Sequence, residues 1–172
     1  FNLLLQIMED GRLTDGQPDD KTYNGYHAMA VTAIMGRGNK KLVSELPAQI
    51  SADKILFVGI RDWERQEIKD RQQEYGIKHL TPDEVKIDST KVIDWLKSTG
   101  AKHVVIHFDM DVLDPNEIIA AVGVVPNGIK MDEAARVIND ISKEFNLIGL
   151  TVAEPVPRTA IKLKNMLNKL PI

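Results

Sequence analysis

The stretch VVIHFDMDVLDP, residues 104–115, sets Asp109, Asp111 and Asp114 at the end of an apolar run. Side chains two apart on a strand share a face. The spacing therefore predicts His103, Val105, His107, Asp109 and Asp111 on one side, with Val104, Ile106, Phe108 and Met110 on the other. Two carboxylates so close repel each other, and burying them unpaired is costly. A divalent cation resolves that conflict, and hard cations such as magnesium or manganese suit oxygen ligands. The structural alternative is that aspartates after a strand make caps and turns, and Asp114-Pro115 reads as such a turn. An EF-hand loop is excluded, because Leu113 and Asp114 stand where it needs an oxygen ligand and a glycine.

The elements that position these carboxylates alternate along the chain. FNLLLQIMED carries Phe1, Leu4, Leu5 and Met8 at helical spacing and stops at Gly11, and HAMAVTAIMGRG predicts a second helix. KILFVGI (54–60) predicts a buried strand, followed by a charged helix over RDWERQEIKDRQQEYG that Gly76 ends. TPDE from Thr81 has capping-box order with proline at the first helical position. STKVIDWLKSTG predicts a helix capped by Ser89 and stopped by Gly100. The strand HVVIHF, the helix KMDEAARVINDISKEF, the strand LIGLTV and the helix TAIKLKNMLNKL complete the series. Strands alternating with helices of this length imply a parallel sheet and an α/β fold. Asp109 and Asp111 then sit at the carboxyl end of a parallel strand, where open α/β sheets place their ligand crevice.

Composition sets the outer limits. At 172 residues the length suits one domain with a real core, and 43% hydrophobic with 27% charged residues describes an ordinary globular protein. The net charge of -3 gives no electrostatic case for nucleic acid or an anionic membrane. No apolar run is long enough to span a bilayer, and with no basic-then-apolar pattern in the first residues a signal peptide is not expected. The absence of cysteine removes disulfides and thiolate chemistry and leads to the expectation of a cytoplasmic protein.

Two metal-dependent families use a strand followed by Asp-x-Asp. HFDMDV resembles the DxDx[TV] motif of haloacid-dehalogenase-like phosphatases, in which Asp109 would be the nucleophile. FDMDVLDP more closely resembles the DxDxxDP signature of the ureohydrolases, the arginase and agmatinase family. Three further segments agree with that family in order: NGYHAMAV (24–31), VGIRDWE (58–64) and GLTVAEPVP (149–157). The resemblance covers residues 18–172. It implies an arginase-like fold, a three-layer parallel sheet with helices on both faces, and manganese-dependent hydrolysis of a small guanidino substrate to urea, within arginine metabolism.

Carried over by position, the resemblance implies that Asp109 bridges two Mn2+ ions and that Asp111 binds one of them. Glu154 would receive the guanidinium, His27 would shuttle protons, Glu64 with Asp62 would meet the α-amino end, and Asn24 would contact the carboxylate. Each has a plainer alternative: His27 at a helix start, Glu154 as a solvated rim carboxylate, Glu64 on an exposed helix face. His103 and His107 are expected in core or supporting roles, since the family does not use those positions as ligands.

The chain also departs from the family pattern. The upstream GGDH and Asp-x-His-x-Asp ligand motifs are absent, and Tyr23, Asn24 and Gly25 replace the usual Ser-Gly-Asn before the histidine. Where the second ligand motif should stand, FNLLLQIMEDGRLTDGQ resembles a segment of Clp-type AAA+ ATPases, yet no GxxxxGK[ST] accompanies it. The expectation is therefore a foreign segment over residues 1–17 joined to a ureohydrolase domain over 18–172 that is truncated at its N-terminus, with impaired activity. The alternatives are the phosphatase and a non-catalytic remnant that associates, as in a homo-oligomer, through an exposed sheet edge.

Overall fold

The computed structural model describes residues 4–7, 29–63, 65–119, 125–155 and 160–171. Five parallel strands form one sheet: β1 (Leu4–Ile7), β2 (Ile55–Val58), β3 (Lys78–Leu80), β4 (His103–Asp109) and β5 (Asn146–Ala153), in the order β3-β2-β1-β4-β5. The helices are α1 (Ala30–Ile34), α2 (Lys40–Ser44), α3 (Gln66–Tyr75), α4 (Pro82–Val85), α5 (Thr90–Ser98), α6 (Met131–Glu144) and α7 (Ala160–Leu167). The three strands expected around KILFVGI, HVVIHF and LIGLTV are thus parallel members of one sheet. Among the described residues no helix is long and apolar enough to cross a membrane.

The first element departs from expectation. Leu4–Ile7 is a strand in the middle of the sheet, not part of a helix, with Leu4 in register with both Ile55 and Val105. A short apolar run has no periodicity that separates strand from buried helix, so strand partners far away in sequence decide its form. The short strand β3 and helix α2 were likewise unannounced by pattern.

Alternation along the strands distributes side chains into two clusters. Leu56 and Val58 join Val104, Ile106 and Phe108 in a core with Val92 and Leu96 of α5 and Val137, Ile138 and Ile141 of α6. Ile55 and Phe57, pointing the other way, pack with Val31 of α1, Ile68 of α3 and Ile77. In α6 the buried residues Ala134, Ala135, Val137, Ile138 and Ile141 recur at helical spacing, so one stripe faces the sheet.

Local signals set several helix ends. Gly76 adopts φ 73° after α3, a left-handed conformation glycine accepts without a Cβ penalty. Ser89 precedes α5 as expected, but its hydroxyl donates to Asp140 Oδ2 at 2.8 Å rather than capping the helix. Ser89 is buried, and Asp88 Oδ1 instead accepts from Thr90 N at 2.8 Å.

At α4 the expected capping-box residues pair: Thr81 N donates to Glu84 Oε2 at 2.8 Å, and Lys91 Nζ donates to Glu84 Oε1 at 2.8 Å. The Lys91 contact, followed by the Thr81 N–H, holds the Glu84 carboxyl down to about 2. A depressed carboxylate contributes stability that is present above its unfolded pKa of 4.5 and lost as pH falls through about 2. Thermal midpoints recorded between those pH values should fall more steeply for the native protein than for Glu84→Gln. Parallel curves would show that the carboxylate is not held in this way.

Candidate active site at the carboxyl end of the sheet

The predicted alternation holds along β4: Val104, Ile106 and Phe108 are buried, while His103 is exposed and Val105 and His107 are half-buried. It stops at Asp109. The chain turns there into a 3-10 turn, Met110–Val112, in which Asp111 N donates to Asp109 Oδ1 at 3.1 Å. Asp109 and Asp111 are therefore joined by a turn and not by continued strand alternation. A short aspartate side chain competes for nearby backbone N–H groups, and that competition ends the strand. Both carboxylates are buried, with Asp109 7% and Asp111 3% exposed.

Asp114 behaves as a turn residue, its Oδ1 accepting from Asn116 N at 2.8 Å. The two histidines of β4 pair across the strands: His103 Nδ1 lies 2.9 Å from Asn146 Nδ2, and His107 Nδ1 lies 2.7 Å from Thr151 Oγ1. Burial lowers the His107 pKa, so the neutral ring is favoured. His103, being exposed, is not a core residue, and the partners of both rings are polar side chains of β5.

Asp109 is in register with Ala153 at the end of β5, so the next residue, Glu154, lies at the same end of the sheet. Glu154 is exposed and adopts φ 61°, a left-handed conformation uncommon outside glycine and costing about 1 kcal/mol or more. Asp62 follows β2 at this end and is exposed. His27, Asn24 and Glu64 lie outside the described residues.

Three segments close around the Asp109–Asp111 turn. Ile129 N donates to Val112 O at 3.1 Å and Asp114 N to Ile129 O at 2.8 Å, so residues 112–114 and 129 form a short parallel bridge. A Cβ on Gly128 would sit 2.5 Å from the Leu113 carbonyl carbon, and one on Gly59, at φ 89°, would run into the Val112 side chain. Arg61, which the sequence reading passed over, lies among these segments. The only local signal for it was a lone cation directly after a buried strand.

As a manganese site the turn fits in kind and falls short in number. Asp109 and Asp111 are buried oxygen donors whose mutual repulsion a cation would relieve. Among the described residues, however, no group of three or more histidine, cysteine, aspartate or glutamate side chains comes together.

Comparison with known proteins identifies the family and the fold. The model of the Arginase family matches residues 14–166. The arginase of Entamoeba histolytica is 29% identical over 147 residues, covering 82% of this chain and 48% of that protein. An arginase of Staphylococcus aureus is 32% identical over 125 residues, covering 68% of this chain and 40% of that protein. The crystal structure of Entamoeba histolytica arginase in complex with L-ornithine superposes with a TM-score of 0.82 at 24% identity, over 97% of this chain and 57% of that one. The chain spans about half the length of the curated relatives it matches. These matches decide for the ureohydrolase signature over the phosphatase one, and they lend no support to a Clp-type ATPase segment. With its parallel sheet superposing on an arginase fold and a family match over most of its length, the chain belongs to the arginase family.

Proposed function

We propose that this chain supplies the Asp109, Asp111 and Glu154 portion of a site that hydrolyses a guanidino compound to urea with manganese. The observation that carries the reading is the buried Asp109–Asp111 turn at the end of β4, with Glu154 beginning where the register partner of Asp109 ends. Asp109 and Asp111 would hold manganese, which when bound would supply an acidified water for attack on an electrophilic carbon. Glu154 pairs with the planar guanidinium, a group suited to two parallel hydrogen bonds from one carboxylate. Its exposed, left-handed position at the rim leaves the carboxylate open to a ligand. His27 exchanges protons with the leaving amine, and Asp62, Glu64 and Asn24 meet the amino-acid end of the substrate. An amino-acid substrate accords with the L-ornithine held by the Entamoeba histolytica structure.

Two carboxylates leave most coordination positions to water, so the chain by itself should bind Mn2+ weakly. Calorimetric titration should show this binding and its further loss in Asp109→Asn. Tight binding that the substitution leaves untouched would put the metal elsewhere and sink the reading.

A further inference from the structure

We infer that Arg61 is a positioning residue for the Asp109–Asp111 turn, an assignment that rests on the manganese reading above. Its guanidinium donates to backbone carbonyls of three separate segments. Nη2 reaches Asp111 O at 3.0 Å and Val125 O at 2.7 Å. Nη1 reaches Val112 O at 3.4 Å and Gly59 O at 3.4 Å. Nε lies 3.1 Å from Pro126 O and 3.3 Å from Val125 O.

The consequence for Asp111 is geometric. Its backbone N–H is taken by Asp109 Oδ1 and its carbonyl by Arg61, so the peptide groups on both sides of its Cα are held and the Cα–Cβ bond that carries its carboxylate leaves the turn in a fixed direction. A 3-10 turn of three residues has little hydrogen bonding of its own and needs such outside restraint. Arginine suits the task because its planar fork of five donors is always charged, so the hold does not loosen with pH. A lysine keeps the charge but offers a single ammonium with three donors, which cannot span carbonyls on three segments. The tight approaches at Gly59 and Gly128 bring those carbonyls within reach of one side chain. Outer groups that orient metal ligands typically carry a factor of ten to a hundred in metal affinity.

Arg61→Lys and Arg61→Met test the assignment in the full chain, with hydrogen exchange resolved by peptide, thermal midpoint and Mn2+ affinity by calorimetry as readouts. In Arg61→Lys, exchange should rise in residues 110–114 and 125–129 while α5 and α6 keep their protection, and Mn2+ affinity should fall about tenfold. Arg61→Met should extend both changes, and if it fails to fold, Arg61→Lys decides alone. Unchanged exchange in 110–114, or a uniform rise across the chain, would overturn the assignment, as would faster exchange with native Mn2+ affinity. If the native chain binds no Mn2+, the manganese reading fails, and exchange in 110–114 alone upholds or overturns Arg61 as the restraint on the turn.

Discussion

No urea above background is expected from the 172-residue chain incubated with excess Mn2+ and arginine or agmatine, whereas residues 14–172 joined behind the N-terminal half of the Entamoeba histolytica arginase are expected to release it. Lowering the pKa of water to near neutrality depends on metal charge held at fixed positions. Catalytic metals commonly keep three protein ligands, and the described residues bring two carboxylates together. Each missing ligand or orienting partner costs on the order of ten- to a hundredfold, so an incomplete ligand set brings turnover down toward background. In the joined protein, Asp109→Ala should return activity to background. Urea from the chain alone, abolished by Asp109→Ala, would show that two carboxylates suffice or that further donors lie outside the described residues. A folded, manganese-loaded joined protein that made no urea would sink the functional reading.

Phe108→Ala is expected to destabilise the fold by about 3–5 kcal/mol, a large part of the roughly 5–15 kcal/mol that holds a domain together. Phe108 is 0% exposed on β4, between Ile7 of β1 and Val152 of β5, and belongs to the larger core. Truncation loses the transfer energy of the ring and leaves a cavity that parallel strands on both sides prevent from collapsing. For a chain of this size the thermal midpoint should drop by roughly 6–20 °C. Because Phe108 directly precedes Asp109, the same substitution should weaken Mn2+ binding. Ile161→Ala, at a residue 80% exposed, should change stability by less than about 0.5 kcal/mol. Equal effects from the two substitutions, measured by denaturant unfolding, would show that β4 is not the centre of the core.

The sequence by itself determined the features that depend on neighbours a few residues apart. The period of two along residues 103–108 announced β4, the segments STKVIDWLKSTG and KMDEAARVINDISKEF announced α5 and α6, and Thr81, Gly76 and Asp114 announced a helix start, a helix end and a turn. The four segments NGYHAMAV, VGIRDWE, FDMDVLDP and GLTVAEPVP also announced the arginase family, because short patterns that are weak singly become specific when four stand in one order. Tertiary structure alone decided the rest. Leu4–Ile7 became the central strand because Ile55 and Val105 offered it hydrogen bonds on both sides. Ser89 left its cap for Asp140, a partner supplied by another helix. Strand alternation failed at Asp109 because its carboxylate captured the Asp111 N–H, and Arg61 acquired its role only when residues 111, 112, 125 and 126 folded against it. Local pattern records what a residue prefers, whereas these choices depended on which long-range partners the packed chain brought within hydrogen-bonding distance.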